Sequence, residues 1–280
     1  MRIALVNCAV LPEPDPDEAP LLAGLRAAGH EAATLAWDNP AADPGAFDVC
    51  FLRATWNYYH TLDAFLAWCD RAGERTRLLN PPEVVRWNAH KGYLAGLERA
   101  GVAIVPTAFV GRGEHEDIRE LARGRGWSGV VVKPAVSAGS FGTRRFGAHE
   151  LGEAQAFLDT MAGGRDMMVQ PHLESVERGG ERSLVWIAGE LTHAIEKSAR
   201  FAGEDESVRA REVITAEERA VADRVVAACA HDVFYARIDL MDGAGGEALL
   251  SELELIEPSL FFEYSGRALA RFVEAAGRLG

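Results

Sequence analysis

Three acidic side chains near the C-terminal end of the chain could hold a divalent cation. Asp239 belongs to the strand-like segment 234–241, and Glu252 and Glu254 belong to a second one at 248–255, after a glycine-rich turn. Because side chains alternate between the faces of a strand, a hairpin that buries its leucines places these acids on one face. Like charges facing each other across strands are destabilising, so a cation is expected among them. Carboxylate oxygens suit Mg²⁺ or Mn²⁺, and a solvated polar face is the alternative.

A second candidate site is the segment 130–142, which reads VVVKPAVSAGSFG. The three valines predict a buried strand that ends at Lys133, because the following proline cannot continue a ladder. Small residues then allow backbone N–H groups to approach an anion, and the lysine adds a point charge. The segment therefore suits a phosphate, although it matches no P-loop or dinucleotide motif, and a hairpin turn is the simpler local explanation.

A third set of side chains, Arg53, Trp56 and Tyr58, follows the third predicted strand. Ligands of parallel α/β sheets bind at the carboxyl ends of the strands. The arginine would bind a carboxylate there, and the aromatic rings would wall a pocket. The alternative is a surface charge beside two core aromatics, and the local sequence does not choose between the two.

Two further segments have possible ligand contacts. The strand predicted at 167–173 is interrupted by a proline, which leaves backbone groups free to pair with a flat heterocycle, or simply marks an ordinary strand exit. The polar segment 198–211 predicts a mobile loop whose arginines, among them Arg200 and Arg209, could close over a phosphate. A solvated loop is the simpler explanation for any single arginine.

The elements that must position these residues begin with an alternation of strands and helices. Strands are predicted at 2–7, 31–36, 48–53 and 78–79, with helices between them, which indicates a parallel α/β domain over 1–83. A second domain is predicted over residues 84–280. Within it, residues from about 104 to 170 are expected to form an α+β lid.

Composition excludes several classes of protein. The net charge of −13 argues against a nucleic-acid partner, which would require a basic surface. The 4 cysteines are scattered, so neither a zinc site nor a disulfide framework is predicted. No apolar segment reaches transmembrane length, and the sequence enters a strand at once, without a signal peptide, so we expect a cytoplasmic protein.

In their order along the chain, these segments resemble the ATP-grasp superfamily, and within it the glutathione-synthetase-like members. The resemblance covers the whole chain and implies an ATP-grasp fold: an N-terminal parallel α/β (preATP-grasp) domain and two α+β subdomains that clamp ATP. It implies phosphate contacts from Lys91 and Lys133, a phosphate-covering loop at Ser137, Gly139, Ser140 and Gly142, an adenine connector at Gln170, His172 and Leu173, and Mg²⁺ (or Mn²⁺) ligands at Asp239, Glu252 and Glu254. Many relatives carry asparagine at the position of Glu254, and a third carboxylate can serve there in its place.

The resemblance also implies a reaction. Such ligases transfer the γ-phosphate of ATP to a carboxylate, and an amine or similar nucleophile attacks the resulting acylphosphate. Arg237 is expected to face the transferring phosphoryl group, Arg53 the substrate, and Lys197 and Arg209 are further candidates on the substrate side.

Within the superfamily, the segments RATWNY, QPHLESVERGGERSLVW and ELELIEPSLF are most similar to the O-ureido-serine cyclo-ligases of cycloserine biosynthesis. A small amino-acid-like substrate is therefore expected, and a homodimer is a candidate assembly. A phosphotransferase on the same fold, or a nucleotide-binding protein without turnover, are the alternatives.

Overall fold

The computed structural model describes residues 1–198, 207–229 and 231–280. Their strands form three sheets, with strand orders β2-β1-β3-β4, β5-β8-β6-β7 and β11-β10-β9-β12-β13. The first sheet is parallel and the other two are antiparallel, which confirms the predicted combination of α/β and α+β architecture. Arg200 lies outside the described residues.

The first sheet is built from short apolar strands whose helices cover both faces. Its elements are β1 (Arg2–Asn7), α1 (Glu18–Ala27), β2 (Glu31–Ala36), β3 (Val49–Ala54), α2 (Leu62–Gly73) and β4 (Arg77–Leu79). Every residue of β3 is buried, as expected for a central parallel strand. The carboxyl end of β3 therefore delivers residues 55–60 to one edge of the sheet.

The chain from residue 80 to residue 100 contains two helices, α3 (Pro82–Asn88) and α4 (Tyr93–Arg99). Lys91 lies in the connection between them, and its backbone N–H donates to Ala135 O at 2.8 Å. This break turns Lys91 toward the second sheet instead of leaving it on a solvated helix face.

The second sheet and its two helices lie in the segment predicted to form the lid, and that name is kept for them below. Its elements are β5 (Ala108–Val110), α5 (Ile118–Arg125), β6 (Val130–Pro134), β7 (Arg144–Phe146), α6 (Leu151–Ala162) and β8 (Met167–Pro171). A separate hydrophobic core, which includes Val130, Val132, Leu158 and Val169, packs the helices onto one face. The other face of β6 is free to present Lys133.

The third sheet contains the predicted carboxylate hairpin. Its elements are α7 (Ser175–Gly179), β9 (Glu181–Ile187), β10 (Glu190–Lys197), β11 (Val208–Arg211), α8 (Ala216–Ala228), β12 (Tyr235–Asp242), β13 (Ala248–Glu254) and α9 (Gly266–Gly277). The apolar side chains of β12 and β13 pack against α4 and α8 in one core, so the charged side chains of the two strands face the opposite way. The strand β11 replaces part of the loop predicted over 198–211.

No helix within the described ranges is both long and apolar enough to cross a membrane. The boundary between residues 83 and 84, and the lid limits at about 104–170, remain predictions.

Candidate active site

A cavity of about 390 Å³ is lined by residues of the second and third sheets and by loops, including loops of the first domain. The first domain contributes Pro12, Glu13, Trp56 and Tyr59; the lid and its neighbouring loops contribute Lys91, Lys133, Gln170 and the loop after β6; the third sheet contributes Glu181, Lys197, Arg237, Asp239, Glu252 and Glu254. Most residues that the sequence predicted for separate sites therefore meet in a single cavity.

The carboxylate hairpin is formed by β12 and β13, which pair along most of their length. Asp239 lies opposite Glu252, and Arg237 lies opposite Glu254, because the two strands pair antiparallel. The Nε of Arg237 donates to Asp239 Oδ1 at 2.9 Å, and its guanidinium also pairs with Glu254. Side-chain alternation thus places three carboxylates and one arginine on the cavity face.

Two lysines supply further positive charge to this face. The Nζ of Lys197 lies 2.6 Å from Glu181 Oε1 and 3.3 Å from Asp239 Oδ2. The Nζ of Lys91 lies 2.9 Å from Glu252 Oε1. Acids and cations are interspersed on β9, β10, β12 and β13, and Lys91 adds a further cation, so lysine and arginine offset the repulsion expected between the like charges.

This arrangement of charges moves the pKa values of the acids in opposite directions. Burial alone would raise the pKa of Asp239, but Arg237 and Lys197 hold it well below its usual value. Burial also opposes ionisation of Glu252, yet Lys91 and Lys133 lower its pKa. Asp239 is therefore the most firmly ionised acid of the three.

Glu254 differs from the other two acids. Burial raises its pKa to about 7, and Arg237 only partly offsets this because Asp239 and Glu252 repel a further negative charge. Within the described ranges, no three Asp, Glu, His or Cys side chains are grouped closely enough to hold a metal ion. The predicted trio converges on the cavity, but its oxygens are engaged by cations rather than arranged around one point.

The lysine of the small-residue segment points into the same cavity. Lys133 is partly buried, and burial lowers its pKa, an effect that Glu252 opposes. Lys91 anchors the loop that follows, because its Nζ donates to Ser137 O at 2.9 Å. The two lysines, which are 42 residues apart in the sequence, therefore line one cavity together with this loop.

The loop itself relies on left-handed backbone. Gly139, Ser140 and Gly142 have φ values of 56°, 59° and 67°. A Cβ atom at Gly142 would lie 3.0 Å from Pro134 Cγ, so glycine is required there by contact as well as by φ. Ser137, Gly139 and Ser140 line the cavity, whereas Gly142 packs behind the loop against Pro134.

The connector after the lid also lines the cavity. Gln170, His172 and Leu173 all face it, as predicted. Gln170 is 4% exposed, and its amide donates to Thr107 Oγ1 at 2.9 Å, while the backbone N–H of His172 donates to Gly129 O at 2.9 Å. These bonds fix the strand exit and leave its outer edge available to a planar ligand.

The structure does not bring Arg53 into the cavity. Its side chain is 2% exposed, pairs with Asp17 Oδ2 at 3.1 Å and lies over the ring of Tyr235. The expected substrate contact fails because β3 is buried on both faces, so that an arginine at its end is enclosed by α1 and the C-terminal segment. Asp17 also accepts backbone hydrogen bonds from Leu260 and Phe262.

Two other predicted contacts are likewise absent from the cavity lining. Tyr58 is 3% exposed and packs against Phe65 in the core of the first domain; its neighbour Tyr59 lines the cavity instead, with Trp56 as predicted. Arg209 is exposed on β11 and pairs with Glu196 on the adjacent strand. It is exposed on β11, the strand at the edge of the third sheet, which the prediction of a loop had not included.

Several cavity residues had not been selected from the sequence. Glu181 lies opposite Lys197 in the β9–β10 pairing, so pairing these two strands from the sequence would have found it. Glu257 directly follows the carboxylate strand and lines the cavity with Phe261. Phe261 carries no sequence signal, because its place depends on contacts with the distant Asp17.

Comparison with known proteins agrees with this geometry. A family model described as the N-terminal domain of D-cycloserine synthetase DcsG matches residues 3–80. The cycloserine biosynthesis protein DcsG of Streptomyces lavendulae is 33% identical over 290 residues, which covers 98% of this chain and 97% of that protein.

Solved structures extend the comparison to the whole fold. The crystal structure of D-cycloserine synthetase DcsG superposes with a TM-score of 0.91 at 32% identity, over 100% of both chains. The D-alanine–D-alanine ligase of Bacillus anthracis, solved with ATP, gives a TM-score of 0.71 at 15% identity over 100% of this chain and 97% of that one. The second likeness is one of fold alone.

Proposed function

Because the chain belongs to the DcsG family of the ATP-grasp superfamily, and is thus an ATP-dependent ligase, we propose that it activates the carboxylate of a small amino acid as an acylphosphate. The single observation that supports this best is the cavity in which Lys91, Lys133 and Arg237 meet the carboxylate hairpin. Phosphoryl transfer needs charge neutralisation and positioning more than a protein nucleophile, and this lining supplies both.

The proposed reaction has two steps. A substrate carboxylate oxygen attacks the γ-phosphorus of ATP, and the bond to the bridging oxygen breaks, which releases ADP. A nucleophilic nitrogen then attacks the acyl carbon and loses a proton, while the carbon–oxygen bond to phosphate breaks. By analogy with the relatives, the nitrogen belongs to the same molecule, so that a ring is formed. Conversion of O-ureidoserine to cycloserine also requires water to hydrolyse the carbamoyl group from that nitrogen, which releases carbon dioxide and ammonia.

The chain's own side chains would bind and orient the reactants. Lys91 and Lys133 would contact the phosphates from opposite sides of the loop at Ser137–Ser140, and Gln170 to Leu173 would flank the adenine. Arg237 would face the transferring phosphoryl group, and Lys197 would hold Asp239 and Glu181 in place. Trp56 would line the cavity on the side where the substrate binds.

The carboxylates fit a magnesium ion by their donor chemistry. Asp239, Glu252 and Glu254 offer hard oxygen ligands on one face, and the raised pKa of Glu254 reflects negative charge that Arg237 only partly offsets. These three carboxylates would hold the ion, which would supply positive charge to neutralise the phosphates. To free the carboxylates for the metal ion, Lys91 and Arg237 would shift from the carboxylates to the phosphates as the nucleotide binds. A cytoplasmic location and a homodimer remain predictions.

Trapping with hydroxylamine tests the proposal. With ATP, Mg²⁺, O-ureidoserine and hydroxylamine, we expect ADP together with a hydroxamate, because an acylphosphate reacts with hydroxylamine at its acyl carbon. Formation of ADP with a stable phosphorylated product and no hydroxamate would identify a phosphotransferase. Absence of ADP with every carboxylate tested would identify a nucleotide-binding protein without turnover.

A further inference from the structure

Glu257 is a cavity-lining acid for which the proposed phosphoryl chemistry has no role. It is only 8% exposed. Among residues 1–198, 207–229 and 231–280, its carboxylate has no hydrogen bond or ion pair; its backbone oxygen alone is bonded, by Trp56 Nε1 at 3.1 Å. A buried carboxylate is stable only when it is paired or neutralised, so this side chain is arranged for a ligand cation or for a proton.

The segment that follows Glu257 is held firmly. Asp17, which is 1% exposed, accepts hydrogen bonds from the backbone N–H groups of Leu260, Phe261 and Phe262 at 2.5, 3.2 and 2.9 Å. Trp56 fixes the other end of the segment through its bond to Glu257 O. A side chain on a segment held at both ends binds a ligand with little loss of conformational entropy.

The surroundings of Glu257 suit an organic cation. The first-domain residues that line the cavity include two aromatics, Trp56 and Tyr59, but no lysine or arginine. Carboxylates pair with an ammonium group, and aromatic faces attract it. Arg237, by contrast, lies 5.9 Å from the ring of Phe261, close enough to bind an anionic group at the other end of a short molecule.

We propose that Glu257 binds the ammonium group of a zwitterionic amino-acid substrate whose carboxylate faces Arg237. The inference rests on the proposed function, because it assigns the substrate's amine at the same site. It specifies the substrate class as α-amino acids with a free ammonium group, so that N-acylated and desamino analogues are rejected. A raised pKa supports the assignment: burial, reinforced by the charge of Glu254, raises the pKa of Glu257 to about 8, although the charges of Lys91 and Arg237 oppose this rise.

Equilibrium binding tests the inference without requiring turnover. Calorimetric titrations in the presence of Mg²⁺ and a non-hydrolysable ATP analogue would compare serine with 3-hydroxypropanoate, which is serine without its amino group. We expect wild-type protein to favour serine at least about tenfold, the size of one charge-assisted hydrogen bond. Glu257→Gln should remove this preference by weakening serine alone. Glu263→Gln, the same substitution at an exposed acid in the same segment, is the matched control and should keep it.

The outcomes separate cleanly. If Glu257→Gln weakens serine and 3-hydroxypropanoate equally, or leaves the preference intact, the ammonium assignment is wrong. If it instead changes the Mg²⁺ concentration needed for nucleotide binding, Glu257 is a metal ligand and the assignment is also wrong. Hydroxamate formation from O-ureidoserine by wild-type protein is measured independently, so failure of the proposed reaction is distinguished from failure of ammonium binding. The variant should fold, because no partner within the described residues loses a bond when the charge is removed.

Discussion

The molecule contains two arginine–aspartate pairs that are similarly buried but have different neighbouring groups. Arg237 and Asp239 are 8% and 2% exposed, and Arg53 and Asp17 are 2% and 1% exposed. Asp239 is surrounded by further charges, including Lys197. Asp17 instead accepts hydrogen bonds from backbone N–H groups of the C-terminal segment and pairs with Arg53.

The difference shows that burial of an ion pair does not by itself identify a reactive site. The first pair lines the cavity, where its charges can be exchanged for those of a nucleotide. The second pair joins the first domain to the segment that carries Glu257 and Phe261, and so positions the cavity wall. A charge pair whose partners are other side chains is suited to chemistry, whereas one bonded to fixed backbone groups is suited to support.

Replacing the arginine of the cavity pair should have the largest effect. Arg237→Met removes the cation beside the transferring phosphoryl group, and we expect turnover to fall by about 10³-fold or more, as for other arginines with this role. Nucleotide affinity should change much less, because Lys91 and Lys133 remain. Single-turnover ADP formation and calorimetric ATP binding would be measured on the same preparation. A variant that keeps a tenth of the wild-type rate would rule out this role for Arg237.

Replacing the aspartate of the same pair should raise the requirement for magnesium. Asp239→Asn removes the most firmly ionised of the three carboxylates, and we expect the Mg²⁺ concentration for half-maximal ADP formation to rise about 10- to 100-fold. Asp17→Asn is the matched control, since it neutralises the other buried aspartate and should leave the Mg²⁺ requirement unchanged. Equal Mg²⁺ curves for wild type and Asp239→Asn would contradict the proposed metal site.

The supporting pair should affect stability more than turnover. Asp17→Ala leaves Arg53 without its carboxylate and three backbone N–H groups without an acceptor, so the free energy of unfolding should fall by about 3–5 kcal/mol. Urea unfolding measures this loss. Where Asp17→Asn retains the fold, we expect KM for the amino-acid substrate to rise while kcat and KM for ATP stay within a few fold. A large fall in kcat with unchanged stability would place Asp17 in the chemistry.

An exposed pair on the outer strand should have the smallest effect. Arg209 pairs with Glu196 at the surface, where ion pairs contribute about 0.2–1 kcal/mol. Arg209→Ala should therefore leave kcat/KM within about twofold of wild type and change unfolding by less than about 1 kcal/mol. A steady-state assay with saturating ATP checks this, and a tenfold loss of activity would restore Arg209 as a substrate contact.

The parts of the site that depend on a local sequence pattern, such as the alternation of side chains along a strand, could be predicted from the sequence. Alternation along β12 and β13 fixed the common face of Asp239, Glu252 and Glu254, and the segment ending at Lys133 was identified from its valines and small residues. The break that frees Lys91 from a helix was not predicted, because the apolar pattern continues through it.

Other features depend on contacts that no local pattern contains. Tyr58 and Tyr59 are adjacent and similar, and only the turn after β3 decides which of them enters the core. Asp17 and Leu260 are separated by 243 residues, so the bond between them, and with it the enclosure of Arg53, could not be read from either segment.

The account depends most directly on the transfer of phosphate to a carboxylate oxygen, which isotope labelling can follow. O-ureidoserine labelled with ¹⁸O in its carboxylate would be incubated with the protein, ATP and Mg²⁺, and the released phosphate analysed by mass spectrometry. The proposed acylphosphate predicts one ¹⁸O atom in each phosphate, because its bridging oxygen comes from the substrate. Unlabelled phosphate, released at the same rate as ADP, would contradict activation of the carboxylate and with it the assigned function of the cavity.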